Sequence, residues 1–228
     1  MPRTLVLSSL LPFTDALTAE SLRRGFPTTL VGDAARHLHK APALQGALFH
    51  AVDLADPYAL PRTMCGCYDR ITHLFFVASP LLSKRLGSYL PEDLRNVYER
   101  NVLGPIAAIT AFHRLRLQTK PLPLASSGAG YHLTVLVDSS AKNDEKEQSV
   151  RASTHAAIEE FATRFAIDLA DELPGSKTTV FRVPMTGNQI DPSSATTLIW
   201  DAVQNQEMSY KKYQIARNCG GSLRLESV

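Results

Sequence analysis

Short apolar runs alternate with longer stretches of helical period along the chain. The apolar runs predict six β-strands, at Thr4–Leu7, Thr28–Val31, Ala47–Val52, Ile71–Val77, Tyr131–Val137 and Thr178–Val183. Apolar spacings of three and four residues predict helices at Thr14–Arg24, Ala34–Lys40, Pro91–Leu115, Ser153–Glu172 and Ser194–Gln206, with a helical start in residues 57–68. Pro105 predicts a kink or a new helical start inside residues 91–115, because proline has no N–H to donate.

This alternation of strand and helix predicts one α/β domain over residues 1–228. Parallel strands need crossover connections, and crossovers are right-handed, so we expect a doubly wound Rossmann-like domain with a mostly parallel twisted sheet between helices. The C-terminal segment 189–228 is predicted to be less regular. Apart from its helix it has no clear strand before the last few residues, and Tyr210–Tyr213 is interpreted as surface helix. The charged stretch Ala141–Ser149 is predicted to be a loop.

Composition excludes several classes of protein. The 228 residues are 44% hydrophobic and 20% charged, which is typical of a globular domain. Lys and Arg number 24 against 22 Asp and Glu, and no basic stripe points to nucleic acid or to a membrane surface. No apolar run is long enough for a membrane span. Three cysteines, at positions 65, 67 and 219, predict neither a disulfide framework nor a metal site, and favour a cytoplasmic protein.

Five segments resemble, in order and spacing, the short-chain dehydrogenase/reductase family. They are Asp53-Leu54, Asn101–Gly104, Val135–Ser140, Ser153–Phe161 continued by Ile167–Ala170, and Arg182–Pro184. The resemblance covers residues 4–192 and implies an oxidoreductase fold with NAD or NADP at the carboxyl ends of the strands. It implies that Asp53 meets the adenine ring, that Asn101 is the family's helix asparagine, and that Ser140 is its catalytic serine.

The first loop departs from the family pattern. The family has three glycines there, which let the backbone approach a pyrophosphate. Here Ser8–Thr14 has no glycine, and Pro12 removes an amide donor. Two interpretations remain. The loop is packed and apolar, or it binds, through residues such as Ser8, a ligand that carries less phosphate than a dinucleotide. After the fourth strand, Ala78-Ser79-Pro80 replaces most of the family's Asn-Asn-Ala-Gly.

Asp33 follows the second strand and has two possible roles. The resemblance implies an acidic residue that binds the adenosine ribose and opposes a 2′-phosphate, which favours NAD over NADP. Alternatively, Asp33 caps the helix predicted at residues 34–40, since Asp is a favoured helix N-cap.

The catalytic pair of the family is missing. The family uses a Tyr and a Lys four residues apart, in which the Lys lowers the pKa of the phenol. The resemblance places Arg151 at the tyrosine position and His155 at the lysine position, and no Tyr lies between His132 and Ser209. Arginine is not an ordinary proton donor at neutral pH. A Ser140–His155 acid/base pair is a further hypothesis, although no carboxylate is specified to orient the imidazole.

Three hypotheses about function therefore stay open. The first is a short-chain-dehydrogenase-like protein with a degenerate dinucleotide loop, which binds no cofactor and serves in binding, regulation or assembly. The second is an atypical NAD(P)-dependent oxidoreductase that uses Ser140, His155 and Arg151, with NAD as the cofactor if there is one. The third is a non-redox enzyme that uses Ser140 and His155. The small-molecule ligand is not specified by the sequence.

Apolar residues lie on more than one side of the helices predicted at residues 91–115 and 153–172. A sheet buries one stripe of a helix, and leftover apolar surface calls for a partner. The same two helices pair across a two-fold axis in the family that the chain resembles. We therefore expect a homodimer or tetramer through these helices, with Ala162 and Phe165 as candidate interface residues.

Overall fold

The computed structural model describes residues 3–8, 11–32, 44–54, 56, 58, 70–78, 89–118, 130–139, 149–185, 190–217 and 222–228. The strands are β1 (Arg3–Ser8), β2 (Thr28–Val31), β3 (Leu48–His50), β4 (Ile71–Val77), β5 (His132–Asp138), β6 (Lys177–Val183), β7 (Tyr210–Arg217) and β8 (Leu223–Ser227). The helices are α1 (Leu11–Arg23), α2 (Pro91–Tyr98), α3 (Gly104–Gln118), α4 (Ser149–Glu172) and α5 (Pro192–Gln204). The predicted helix 34–40, nearly all of residues 57–68 and the predicted loop 141–148 lie outside the described residues.

The strands form one sheet in the order β3-β2-β1-β4-β5-β6-β7-β8. Every neighbouring pair is parallel except β7 and β8, which are antiparallel. The chain moves outward from β1 to β3 and then returns to place β4 on the other side of β1. This confirms the doubly wound α/β fold, and it puts the point where the strand order reverses between β1 and β4.

Alternate residues of each strand fill two separate cores. Leu5, Leu7, Leu74, Phe76, Leu133 and Val135 belong to the core on the α3 and α4 side. Val6, Phe75, Val77, Leu136 and Phe181 belong to the core on the α1 and α5 side, with Trp200 of α5 fully buried there. Because successive side chains of a strand point to opposite faces, continuous apolar runs such as those of β1 and β4 are what a sheet covered on both sides requires.

The helix ends follow from local sequence. α1 stops at Gly25, whose φ of 81° is in the left-handed region that favours glycine. The Gly25 N–H donates to the Leu22 carbonyl and the Phe26 N–H to the Ser21 carbonyl, which is the Schellman arrangement. α5 begins after Asp191, which accepts a hydrogen bond from the Ser194 N–H, with Pro192 in the first turn.

The long helix predicted at residues 91–115 is interrupted as Pro105 suggests. A π-helical turn, Glu99–Leu103, joins α2 to α3. The Gly104 N–H donates to the Glu99 carbonyl, and Pro105 follows at the start of α3, where its missing N–H costs little. The proline therefore marks a new helical start, and the extra residue of the π turn carries Asn101 into a buried position.

The prediction of surface helix for Tyr210–Tyr213 is wrong. Residues 210–217 and 223–227 form β7 and β8, so Tyr210–Tyr213 is strand and not surface helix. β7 was missed because its residues on the α4 side are polar, and its pattern resembles that of an exposed helix. Lys212 on that side makes a salt bridge with Glu159 of α4, and Arg182 of β6 reaches the same carboxylate at 2.8 Å. Burial raises the pKa of Glu159, but the two cations outweigh it and hold the pKa below its usual range.

Several predicted boundaries also move, and two helix starts move the furthest. α1 begins at Leu11, three residues before the predicted Thr14, and α4 begins at Ser149, four residues before the predicted Ser153. The first shift has consequences for function, because it turns most of the predicted Ser8–Thr14 loop into helix.

Most of the apolar residues that suggested a free helix face belong to the core. Ala162 is fully buried and Phe165 is 7% exposed, so neither is available as an interface residue. The large apolar side chains that do remain exposed on this side are Leu94, Tyr98, Leu103, Leu117 and Ile167. No helix of the described residues is both long enough and apolar enough to cross a membrane.

Two histidines lie near the amino-terminal end of the sheet, His73 half-buried and His132 buried. His73 packs between Phe26 and Trp200, with ring centroids 5.0 and 4.9 Å away, and burial lowers its pKa to about 4. Burial lowers the pKa of His132 to about 3, with smaller contributions from the neighbouring His73 and Lys177, which disfavour a second positive charge. His132 Nε2 donates to Thr179 Oγ1 at 2.7 Å, and Thr179 in turn donates to Gln206 Oε1. Both imidazoles are thus held neutral.

We predict that acid destabilises the fold through these two residues. In the unfolded chain they bind protons near pH 6.5, whereas in the folded chain they resist protonation. Their contribution to the free energy of unfolding is therefore present above pH 6.5 and is lost as the pH falls from 6.5 toward 4. The loss is about 3 kcal/mol for His73 alone. Urea unfolding measured between pH 7.5 and 4 checks this.

The matched variants are His73→Phe, which keeps an aromatic ring in the aromatic cluster, and His50→Phe on the edge strand β3. We expect His73→Phe to flatten the pH dependence and His50→Phe to leave it unchanged. An unaltered slope in His73→Phe would contradict the assignment.

Candidate functional site

The carboxyl ends of β1, β2, β4 and β5 meet at the edge of the sheet where ligands of doubly wound folds bind. Ser8 ends β1, Gly32 follows β2, Ala78 follows β4 and Asp138 ends β5. The Ala78 N–H donates to the Leu136 carbonyl at 3.0 Å, which extends the β4–β5 pairing to this edge. The candidate site is built from these ends together with Asn101 and α4.

Ser8 is tied to the first turn of α1. Its hydroxyl makes a short hydrogen bond with the Thr14 hydroxyl, and both side chains are fully buried. α1 starts at Leu11, so only two residues separate it from β1, and Pro12 has no N–H to offer in the first helical turn. The chain has no glycine before Gly25. Side-chain atoms therefore occupy the junction where a glycine loop exposes backbone amides.

Leu54 fills the space beside this junction. A Cβ on Gly32 would lie 2.2 Å from the Ser8 carbonyl oxygen, and one on Gly104 would lie 1.8 Å from the Leu54 carbonyl oxygen. Gly32 has a φ of 129°, so it needs glycine for its conformation as well as for space. The ends of β1 and β2, the Asp53-Leu54 segment and the start of α3 are consequently packed backbone against backbone.

Asp53 lies at the predicted place but on the surface. Its side chain is exposed, and its carbonyl accepts a hydrogen bond from the Asp56 N–H at 3.1 Å. Leu54, which follows it, is buried in the core on the α3 and α4 side. The Asp53-Leu54 segment therefore follows β3 at this edge of the sheet, and the predicted contact of Asp53 with an adenine ring stays a prediction.

Asn101 is the unusual polar residue of the site. Its side chain is 1% exposed, and neither its amide nitrogen nor its amide oxygen has a hydrogen-bond partner among the described residues. A buried amide without partners costs about 1–3 kcal/mol, and native proteins keep such groups where a ligand or water is needed. Nothing in the sequence indicates this, because the π-helical turn that buries Asn101 was not predicted.

His155 lies beside the end of β5. Its ring is 4% exposed, and Nδ1 is 3.2 Å from the Asp138 carbonyl oxygen. A carbonyl only accepts, so Nδ1 carries the proton. The Asp138 carboxylate accepts a hydrogen bond from the Met185 N–H at 3.0 Å and so joins the ends of β5 and β6. The structure therefore brings His155 to the candidate site but gives it a packing contact with backbone.

Three predicted site residues are not placed. Ser140 and Asp33 lie outside the described residues, and so do Cys65, Cys67 and Cys219. Arg151 lies in the first turn of α4, and its side chain is not described. The predicted Ser140–His155 pair and the predicted roles of Asp33 and Arg151 therefore stay predictions.

A phenol that the sequence analysis missed approaches α4 from a different helix. Tyr98, at the end of α2, has its hydroxyl 3.0 Å from Ser153 Oγ. Ser153 donates its one proton to the Val150 carbonyl, so Tyr98 donates to Ser153. The contact was missed because the search for a tyrosine was confined to α4. The phenol proton is therefore engaged with the Ser153 hydroxyl.

Within the described residues, no three His, Cys, Asp or Glu side chains group as a metal ion would require. The described polar groups at this edge are the Ser8–Thr14 pair, Asn101, and the backbone-bound Asp138 and His155. This set includes a buried amide and no glycine-lined cradle of the kind that a pyrophosphate uses.

Comparison with known proteins gives structural matches but no sequence matches. No family model matches the chain, and no curated protein sequence matches it. A short-chain dehydrogenase from Streptomyces avermitilis superposes with a TM-score of 0.77 at 14% identity, covering 95% of this chain and 89% of that one. A short-chain dehydrogenase from Rhodopseudomonas palustris gives 0.76 at 11%, covering 95% and 99%. An alcohol dehydrogenase from the archaeon Thermococcus sibiricus, complexed with 5-hydroxy-NADP, gives 0.74 at 13%, covering 94% and 96%.

The superpositions span nearly the whole of both partners. At such low identity they establish architecture and not chemistry. The chain therefore has the oxidoreductase-like Rossmann fold of the short-chain dehydrogenases/reductases.

Proposed function

We propose that this chain is a non-catalytic member of the short-chain dehydrogenase/reductase fold, which serves in binding, regulation or assembly and does not transfer hydride. The observation that carries the proposal is the Ser8–Thr14 hydrogen bond, which occupies the junction of β1 and α1. A pyrophosphate needs backbone N–H groups turned toward it, and no residue of Ser8–Thr14 is a glycine, which would let the backbone approach a phosphate.

The packing next to this junction supports the proposal. Gly32 already lies against Ser8, and Gly104 against Leu54, with no room for even one added carbon atom. Any dinucleotide would have to displace backbone that holds the ends of β1 and β2 together. Protein interiors resist such displacement because they are close-packed.

The proton-transfer residues support it independently. His155 stands where the family has its lysine, and its Nδ1–H is donated to the Asp138 carbonyl. Two described phenols contact α4: Tyr98 donates to Ser153, and Tyr210 donates to Thr163. Both phenol protons are engaged with hydroxyl oxygens of α4, whereas a general acid or base must direct its proton at the substrate.

An atypical NAD(P)-dependent oxidoreductase is the alternative, and Asn101 is the observation that favours it. A buried amide with no partner in the described chain, on the π-helical turn that packs against α4, is a group kept for a ligand. On this alternative Ser140, His155 and Arg151 would carry the chemistry, and Asp33 would favour NAD over NADP through repulsion of a 2′-phosphate.

We predict that neither NADH nor NADPH binds more tightly than about millimolar, which corresponds to roughly −4 kcal/mol. Calorimetric titration of the purified chain with each dinucleotide measures this. The Thermococcus sibiricus alcohol dehydrogenase, which holds 5-hydroxy-NADP in its structure, serves as the positive control.

A micromolar dissociation constant for either dinucleotide would overturn the proposal in favour of the alternative. If Asn101→Leu bound that dinucleotide with the same micromolar dissociation constant, the buried amide would not be part of the binding site.

Assembly into a homodimer through α2, α3 and α4 is the second part of the proposal. Leu103 is 59% exposed and Ile167 is 64% exposed, although they lie on the helices whose other faces cover the sheet. Leu94 and Tyr98 add exposed apolar surface on α2. A second copy that offers the same surfaces about a two-fold axis would bury all of them at once.

We predict that Ile167→Glu yields a monomer near 25.0 kDa by light scattering at micromolar concentration, while the wild type is twice that mass. Met208→Glu is the matched control, because Met208 is 60% exposed in the turn between α5 and β7, away from these helices. A wild-type monomer, or a dimer that survives Ile167→Glu together with Leu103→Glu, would contradict this assembly.

A further inference from the structure

We propose that a cavity between α5 and the β7–β8 hairpin binds a small monocarboxylate with a short apolar body. The cavity measures about 490 Å³ and is lined on one side by Ser194 and Leu198 of α5 and on the other by Arg217, Ser222 and Leu223. That volume lies within the range of small-molecule sites. The inference does not depend on the proposed function, because no residue of the first site takes part in it.

The position of the cavity is set by the sheet. β7 is parallel to β6, so Arg217, its last residue, lies at the carboxyl edge of the sheet. α5 starts at the same edge, since it follows β6. β5 and β6 separate β7 from the β1–β4 point where the strand order reverses. The cavity is therefore a second candidate site at the ligand-binding edge, and it exists because β8 was added beyond β7.

The positive charge in the cavity comes from Arg217. Its guanidinium is exposed, and no carboxylate among the described residues pairs with it. An arginine presents N–H donors in a planar fork that matches a carboxylate with two parallel hydrogen bonds. The hydroxyls of Ser194 and Ser222, on the two walls, add neutral hydrogen-bonding groups.

Asp191 limits the charge of the ligand. Its carboxylate accepts from the Ser194 N–H at 2.8 Å and from Ser194 Oγ at 2.6 Å, so it caps α5 and is not the counter-ion of Arg217. It also lines the cavity, and its negative charge repels a second negative charge on a ligand. One carboxylate at Arg217 is favoured over a phosphate dianion.

The apolar walls define the rest of the ligand. Leu198 and Leu223 are both partly exposed, and Leu223 also packs on the core of the α1 and α5 side. Covering them removes apolar surface from water, which is favourable in proportion to the area. A chain of a few methylene groups attached to the carboxylate fits this need.

Hexanoate is a suitable probe, with hexanol, hexylammonium and inorganic phosphate as comparison ligands. We expect hexanoate to cause saturable shifts in the backbone amide resonances of Ser194, Leu198 and Ser222, and to bind at least tenfold more tightly than each comparison ligand. If hexanol bound as tightly as hexanoate, Arg217 would have no role in binding. If phosphate bound as tightly as hexanoate, the apolar walls would have no role. Either result, or a failure of hexanoate to saturate these shifts, overturns the proposal.

Paired variants test the contact itself. Arg217→Gln should weaken hexanoate binding tenfold or more. Arg224→Gln, which removes an equally exposed arginine paired with Glu226 on the opposite face of the hairpin, should leave it unchanged. Both side chains are exposed, so both variants keep the fold, and thermal unfolding verifies this. Hexanoate affinity that is the same in both variants would contradict the site.

Discussion

The hydrogen bond between the Ser8 and Thr14 hydroxyls is the contact on which the functional site depends. It is fully buried, so leaving either hydroxyl without its partner would cost about 1–3 kcal/mol. It fixes α1 directly against the end of β1, and the packing of Gly32 and Leu54 around it follows from that position. In this chain the Ser8 and Thr14 side chains join the end of β1 to the first turn of α1.

Three further polar residues of the site also make hydrogen bonds within the chain. Asp138 accepts from backbone, His155 donates to backbone and Tyr98 donates to Ser153, so groups with catalytic potential serve to join elements. The Asn101 amide differs from them, because neither its nitrogen nor its oxygen has a hydrogen-bond partner among the described residues. The chain has added polar structure elsewhere: the Glu159 cluster joins α4 to β6 and β7, and β8 lengthens the sheet beyond β7. These additions strengthen the half of the sheet that carries the second cavity.

The sequence predicted the fold well and the site only in part. β2 and β4 agree residue for residue with the predictions because their apolar runs are buried on both faces, which leaves one interpretation. β7 was missed because Lys212 gains its partner, Glu159, only in the folded chain. The start of α1 was missed because Pro12 was interpreted as a loop residue, although the first helical turn tolerates it. The Tyr98–Ser153 contact and the isolation of Asn101 depend on how helices pack, which a local pattern does not contain.

The most direct test of the closed junction is the backbone conformation of residues 11–14 in solution. NMR Cα and Cβ chemical shifts, recorded with and without saturating NADPH, report it residue by residue. The account predicts helical shifts from Leu11 onward that NADPH does not change. Coil-like shifts at residues 11–13, or a change of these shifts on addition of NADPH, would contradict it.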